Sequence, residues 1–310
     1  MQQAFLFVID PISSLNPATD TGLALIHAAQ HRGHPVFVAR TRDLFVRDGD
    51  PMVNARPVAL NPTATPHYQW RGPGAPLDLR TFHAVFMRRD PPFDMDYIFA
   101  THILSLAEGH CRLINAPQGL RDCNEKSYIL RFPSLIPPTL LTKDPHRLQD
   151  FLQEHGDAVI KPLDGKGGEA VILLHQAHLS ARAIMEVLTH NGRHYVMMQR
   201  YVPESRAGDK RILMVDGRPL GAFMRVPASG ELRGNLAAGA TAQATDLTPR
   251  DLEICATLAP SLISHGLRFV GIDVLGPWLT EINVTSPTGV QQVRALSGID
   301  VADALIAAVA

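Results

Sequence analysis

The chain has little lysine. Of the 29 basic residues among its 310, five are lysines (Lys126, Lys143, Lys161, Lys166 and Lys210) and 24 are arginines. An excess of either charge is also missing. With 30 acidic residues the formal net charge is −1, which lacks the basic surplus that a nucleic-acid coat needs to neutralise phosphates. The three cysteines are an odd number, and Cys111 and Cys123 stand twelve positions apart. That fits neither a disulfide framework nor a CxxC metal site. Long apolar runs are absent: residues 4–9 are interrupted by Asp10, too short for a signal-peptide core, and nothing approaches the ~18 apolar residues of a membrane span. These absences predict a reduced, cytosolic protein with no membrane and no nucleic-acid partner. At 45% hydrophobic and 19% charged the composition is globular, with room for two or three buried cores.

The first third reads as alternating strands and helices. Residues 5–9, 35–39, 84–87 and 112–115 are short apolar strands. Asp20 caps a helix over 21–31 that stops at Gly33, and a second helix runs from Asp94 to about Glu108. Such alternation implies right-handed crossovers and an open parallel sheet, with ligands beyond the strands' C-terminal ends. Asp10-Pro11 and Arg88-Arg89-Asp90 occupy such ends. Between them, residues 47–80 are rich in Pro, Gly and Thr and read as an irregular excursion. From about Leu120 the pattern changes to hairpins and helices. Strands are expected at 157–162, 170–174, 194–202, 211–215, 269–275 and 279–284, and helices at 181–190, 249–265 and 301–309.

Several familiar chemical motifs are also missing. There is no GxxxxGK[ST] phosphate loop, no GxGxxG after the first strand, no HExxH and no nucleophile elbow. What is present is Asp164-Gly165-Lys166-Gly167-Gly168 between two strands, three glycines whose amides can approach an anion, with a lysine at the tip. A plain hairpin turn would read the same way, but Lys161 shifts the balance. It lies in Val159-Ile160-Lys161-Pro162, where a central strand should be apolar, and a buried ammonium calls for an anion.

A second constellation is Asp273 on one strand with Glu281 and Asn283 on the next. Residues two apart on a strand share a face. A three-residue loop, Gly276-Pro277-Trp278, pairs Leu275 with Leu279 and sets Asp273 opposite Glu281; a two-residue loop would move the partner to Thr280. Two carboxylates and an amide oxygen facing one point suit Mg²⁺, and opposed carboxylates repel unless a cation intervenes. Gln199-Arg200-Tyr201-Val202, at a strand end before Gly208-Asp209-Lys210-Arg211, offers an adenine slot, with Asp209 accepting from a ribose hydroxyl. Residues 225–239, bearing Arg225 and Arg233, read as a lid loop.

Blocks spread over nearly the whole chain carry a resemblance: residues 8–12, Met87-Arg88-Arg89-Asp90-Pro91-Pro92-Phe93-Asp94, Arg121-Asp122-Cys123-Asn124-Glu125-Lys126, residues 161–165, 208–211 and 233–239, and Thr280-Glu281-Ile282-Asn283-Val284-Thr285-Ser286-Pro287. In this order they resemble the bacterial type of glutathione synthetase, within the ATP-grasp superfamily. The resemblance implies an α/β and α+β fold: an N-terminal open parallel-sheet domain (1–121), a central ATP-grasp lid subdomain (122–202) and a C-terminal subdomain with the metal site and lid loop (203–310).

It further implies that Lys126, Lys161 and the loop Gly165, Lys166, Gly167 and Gly168 bind ATP phosphates. Gln199, Arg200, Tyr201 and Val202 would line adenine and Asp209 the ribose. Asp273, Glu281 and Asn283 would hold Mg²⁺, with Mn²⁺ as a substitute. Arg211, Arg225 and Arg233 would act on the acyl phosphate, while Asp10, Arg88, Asp90, Asn283, Ser286, Pro287 and Thr288 would receive substrate. The implied reaction joins γ-glutamylcysteine to glycine with release of ADP and phosphate, in a homo-oligomer of the tetrameric type. Other readings are an ATP-grasp ligase of another amino acid or peptide carboxylate, and a catalytically silent ATP-binding protein. Two departures stand out. Ala240 occupies a lid position where the family carries glycine, and residues 289–293 lack the family's Arg-Glu pair. Four of the five lysines thus fall in nucleotide-site motifs, and only Lys143 reads as a solvated charge.

Overall fold

The computed structural model describes residues 3–165, 170–228, 234, 236 and 239–310. β1 (Phe5–Ile9) is buried throughout and leads to α1 (Thr21–His31), where Asp20 accepts from the Leu23 amide at 2.7 Å as N-cap. β2 (Val36–Ala39), β3 (Leu44–Arg47), β4 (Asp50–Leu60), β5 (Tyr68–Trp70), β6 (Ala75–Asp78) and β7 (Ala84–Arg88) follow. Then come α2 (Met95–Ser105), capped by Asp94, β8 (Arg112–Ile114) and α3 (Pro117–Asp122). β2, β1, β7 and β8 run parallel, as the alternation predicts.

The sheet as a whole is mixed, in the order β3-β4-β2-β1-β7-β8, with β5 and β6 also paired to β4. Residues 47–80 are therefore not an irregular excursion, because most of them form antiparallel strands. Pro51, Val53 and Ala55 of β4 are buried in alternation, a period-two signal that the Pro-rich composition obscures.

The middle of the chain forms a smaller antiparallel sheet from β9 (Thr139–Thr142), β10 (Asp157–Pro162), β11 (Ile172–His175) and β12 (Val196–Arg200), ordered β11-β10-β12-β9. α4 (Pro145–His155) and α5 (Ala181–Leu188) pack on it around Leu148, Leu152, Ile160, Leu174, Met185 and Met198, a core of its own. α4 starts on a cap followed by proline, with Asp144 accepting from the His146 amide at 2.9 Å. Lys143, just before it, is not simply solvated: its Nζ lies 5.4 Å from the centre of the Tyr195 ring.

The last part is a five-stranded antiparallel sheet built from β13 (Asp209–Val215), β14 (Arg218–Val226), β15 (Thr241–Ala244), β16 (Phe269–Leu275) and β17 (Trp278–Asn283), ordered β15-β14-β13-β16-β17. α6 (Pro249–Ser264), α7 (Val290–Ser297) and α8 (Val301–Val309) complete it. β14 runs through Arg225, so the segment read as a lid begins as strand. One buried cluster passes from Phe5, Phe7 and Phe86 through Leu213 and Phe269 to Val290, Leu305 and Ile306. The first and third parts thereby share a core, fastened outside by Arg32 and Asp303 with two hydrogen bonds of 2.7 Å. No helix among the described residues is long and apolar enough to cross a membrane.

Candidate active site

Strand register assembles the charged cluster. β13 places Asp209 and Arg211 on one face; Asp209 pairs with Arg225 of β14, and Arg211 with Asp273 of β16. Asp273 in turn pairs with Glu281 of β17. That last pairing is the expected one, but its cause differs. Leu275 pairs with Trp278, so the loop is only Gly276-Pro277, with Gly276 at φ 54°. A bulge next to Asp273 then skips Thr280 and restores the alignment.

The arginines sit directly on the carboxylates. Arg211 Nε and Nη2 donate to Asp273 Oδ1 and Oδ2 at 2.5 and 2.9 Å, and Arg225 Nη2 lies 2.9 Å from Oδ2. Arg225 also makes a two-pronged pair with Asp209. Asn283 Nδ2 faces Gly271 O at 3.2 Å and Asp273 Oδ2 at 3.3 Å. Burial works to raise the pKa of Asp273, but Arg211 and Arg225 overcome it and hold the carboxyl at about 2. For Asp209 burial prevails over Arg225, and its pKa is raised. Gly234 lies against this pair: a Cβ there would clash with Asp209 Oδ1.

Two lysines close the cluster from the other side. Lys161 of β10 is buried, and its Nζ donates to the carbonyl of Thr280, the bulged residue, at 3.2 Å. Desolvation lowers its pKa to about 8, with Lys126 adding to the effect and Glu281 opposing it. Lys126 Nζ donates to Gly165 O at 2.6 Å and stands 3.4 Å from Glu281 Oε1. Lys166, Gly167 and Gly168 lie outside the described residues, as does Arg233. Gln199 is buried, donating to Thr139 Oγ1 at 3.0 Å; Arg200 is exposed, Tyr201 half-buried and Val202 buried.

Lys210 does not join them. It alternates to the opposite face of β13 and donates to Asp251 Oδ2 at 2.6 Å and Asp246 O at 2.8 Å, binding the strand to the start of α6. The motif that contains it pointed to the nucleotide site, but the strand's period of two sends its side chain away.

The expected substrate residues also converge. Ile9 pairs with Arg88, so the two parallel strands release their chains side by side, and Asp10 Oδ2 accepts from the Asp90 amide at 3.1 Å. Arg88 is 7% exposed; its Nη2 donates to Pro287 O at 2.8 Å, while Nε and Nη1 have no partner among the described residues. Ser286 Oγ lies 3.5 Å from Arg88 O, and Arg211 Nη1 donates to Thr288 O at 3.1 Å. Residues 286–288 thus link the open guanidinium to the carboxylate cluster. A buried cation with unused donors is a place for an anionic group. Sequence reasoning left Asn124 and Glu125 without roles, although both stand in the quoted block that ends in Lys126.

For a divalent cation the donor chemistry fits. Among the described residues no cluster of three His, Cys, Asp or Glu could hold an ion; Asp273, Glu281 and the Asn283 amide oxygen are hard donors that would leave further positions to phosphates and water. Asp273 is at present paired with Arg211 and Arg225 and Glu281 with Lys126, while Asn283 Nδ2 faces Gly271 O and Asp273 Oδ2.

Comparison with known proteins gives the family and the fold. Residues 3–121 match the family model of the prokaryotic glutathione synthetase N-terminal domain, and residues 125–298 that of the prokaryotic glutathione synthetase ATP-grasp domain. A glutathione synthetase of Thermosynechococcus vestitus is 44% identical, the match spanning 94% of this chain and 95% of that one. One from Vibrio parahaemolyticus is 42% identical over 97% and 96%. In fold, the chain is similar to the D-cycloserine synthetase DcsG (TM-score 0.69, 18% identity, 99% and 100% covered). It is also similar to the ATP-grasp ligase PsnB complexed with a phosphomimetic variant of its minimal precursor, Mg and ADP (TM-score 0.62, 17% identity, 100% and 98% covered). The fold is ATP-grasp, and the chain belongs to the prokaryotic glutathione synthetase family.

Proposed function

We propose that this enzyme, an ATP-dependent carboxylate–amine ligase by family, joins γ-glutamylcysteine to glycine and releases ADP and phosphate. The observation that carries the reading is the chain of contacts in which Lys126 meets Glu281 and Lys161 meets Thr280, Asp273 pairs with Glu281 and Arg211, and Arg211 and the unsatisfied Arg88 both meet residues 287–288. In this reading residues 1–121, 122–202 and 203–310 are the substrate, lid and metal-binding subdomains. Lys126, Lys161 and the loop from Gly165 to Gly168 take the phosphates; Gln199, Arg200, Tyr201 and Val202 take adenine; Asp209 exchanges Arg225 for a ribose hydroxyl. Asp10, Arg88, Asp90, Asn283, Ser286, Pro287 and Thr288 orient the dipeptide.

The peptide's terminal carboxylate attacks the γ-phosphorus, and the glycine amine then displaces phosphate from the acyl phosphate. This sequence needs no protein nucleophile. Arg211, Arg225 and Arg233 offset charge that develops on the phosphoryl and acyl oxygens, and the lid excludes water from a hydrolysable intermediate. Mg²⁺, or Mn²⁺ in its place, held by Asp273, Glu281 and Asn283, would supply Lewis-acid neutralisation of the phosphates. The quaternary arrangement that goes with the reading is a homo-oligomer.

A second reading, ligation of a different peptide or amino-acid carboxylate, is favoured by one detail. Gln292, in the segment that lacks the family's Arg-Glu pair, has a buried Oε1 with no partner among the described residues. Phosphate release with ATP, γ-glutamylcysteine and single amino acids separates the readings: the strongest response is expected with glycine, and a stronger one with another pair sinks the proposal. ATP binding without substrate-dependent ADP formation would mark a silent binder. Replacing Arg233 by Ala is expected to lower turnover by roughly a hundredfold while ATP affinity changes little, because its charge matters after closure. Unchanged turnover would make it a surface arginine.

A further inference from the structure

Three consecutive residues reach into three parts of the molecule. Asn124 Nδ2 donates to Leu163 O at 3.2 Å, at the exit of β10, and its Oδ1 accepts from the amides of Lys126 and Ser127. Lys126 holds Gly165 and Glu281, as described. Between them Glu125 turns the other way. Its main-chain carbonyl accepts from the Ile282 amide at 2.9 Å, extending the edge of β17. Its side-chain Oε1 accepts from Val284 N at 2.9 Å, Thr285 N at 3.0 Å and Thr285 Oγ1 at 2.7 Å.

Those donors begin the segment whose later carbonyls, at Pro287 and Thr288, receive Arg88 and Arg211. A buried carboxylate is a costly way to fix a turn. Burial and the nearby Glu281 raise the pKa of Glu125, the three donors pull it down, and its charge is felt by Arg88. The cost is understandable if the segment must be held at one place relative to the lysine next in sequence.

We infer that Glu125 is a positioning residue: through Val284 and Thr285 it sets residues 284–288, on the substrate side, against Lys126 and Gly165, on the phosphate side. It touches no reacting atom. Its effect is on the distance between carboxylate and phosphoryl group, where a displacement of about 1 Å costs on the order of a hundredfold in rate. The inference rests on the ligase reading above.

The test uses the full-length enzyme and three variants, Glu125→Ala, Glu125→Gln and Thr285→Val. Initial rates give kcat and KM for γ-glutamylcysteine, titration gives ATP affinity, and product analysis gives ADP formed per peptide bond. Glu125→Ala is expected to lower kcat by roughly a hundredfold, raise KM for the dipeptide and form excess ADP per bond, while ATP affinity stays within about twofold of wild type. Glu125→Gln keeps an acceptor oxygen of the same reach and should recover most of the loss. Thr285→Val, which removes one donor, should fall between.

Equal losses of ATP affinity and dipeptide use would overturn the inference, as would wild-type coupling in Glu125→Ala. So would a glutamine variant as poor as alanine, since charge rather than bonding would then be at work. If Glu125→Ala does not fold, the glutamine and valine variants decide it by the same measures. Wild-type enzyme that forms no product from γ-glutamylcysteine and glycine would instead defeat the ligase reading.

Discussion

Asp273→Asn is expected to cost both stability and activity. The carboxylate is 3% exposed and serves two buried guanidiniums, so removing its charge leaves Arg211 unpaired and Arg225 with Asp209 alone. Breaking a buried pair from one side costs about 3–5 kcal/mol. The acid limb of the stability curve should change as well. The folded pKa of about 2 lies below the ordinary value of 3.8, so the ionised group adds stability above about pH 4, and that contribution disappears as pH falls through about 2. A shift of this size is worth roughly 2–3 kcal/mol, and the Asn variant should have a correspondingly flatter profile. On the proposed function, turnover falls by a hundredfold or more, the scale of losing one electrostatic contact to developing charge. Denaturant titration against pH, with steady-state rates, checks both. Wild-type stability in the variant would mean that the arginines do not depend on Asp273.

Lys161→Met is expected to have the opposite balance. Burial lowers the lysine's pKa to about 8 from 10.5, so the folded protein bears an ammonium it disfavours. Between those values the unfolded chain holds the proton more tightly, and stability rises with pH; below about 8 the penalty is complete. Methionine removes it, and thermal stability at neutral pH should hold or increase. ATP affinity should drop by about ten- to a hundredfold, the worth of a charge-assisted bond. ATP would also restore the proton, so wild-type binding between about pH 8 and 10 takes one up, and the variant's does not. Calorimetry in buffers of differing ionisation enthalpy measures that uptake. Wild-type affinity in the variant would remove Lys161 from the nucleotide site.

The sequence made some of this legible and hid the rest for identifiable reasons. Glu281 and Asn283, two apart on one strand, announced a shared face, and Asp10 and Arg88 stood at the ends of apolar runs that a parallel sheet brings together. The partners of those groups were not legible. That Arg211 and Arg225 occupy Asp273 follows from which strands become neighbours, and β13 lies more than fifty residues before β16 in the chain. The bulge at Thr280 was invisible because one unpaired residue leaves no mark on composition. Lys210 points away from the cluster because a motif gives proximity in sequence, while the strand's alternation decides direction. Residues 47–80 conceal their strands because prolines dominate a composition whose inward positions still alternate.

The separate core of the middle sheet has a bearing on cooperativity. The flanking parts of the chain share buried clusters and are fastened by α8, whereas the middle sheet closes one face around Leu148, Ile160 and Met198 and meets the larger cluster through Met197 and Leu141. Such a molecule should melt in two stages, with amide exchange in the middle sheet set by a smaller opening free energy than in the flanking pair. Asp273 belongs to the larger unit and Lys161 to the smaller, its ammonium reaching across to Thr280. The two substitutions would then displace different transitions, and one melting temperature for the whole chain would average over events in two separately opening parts of the molecule.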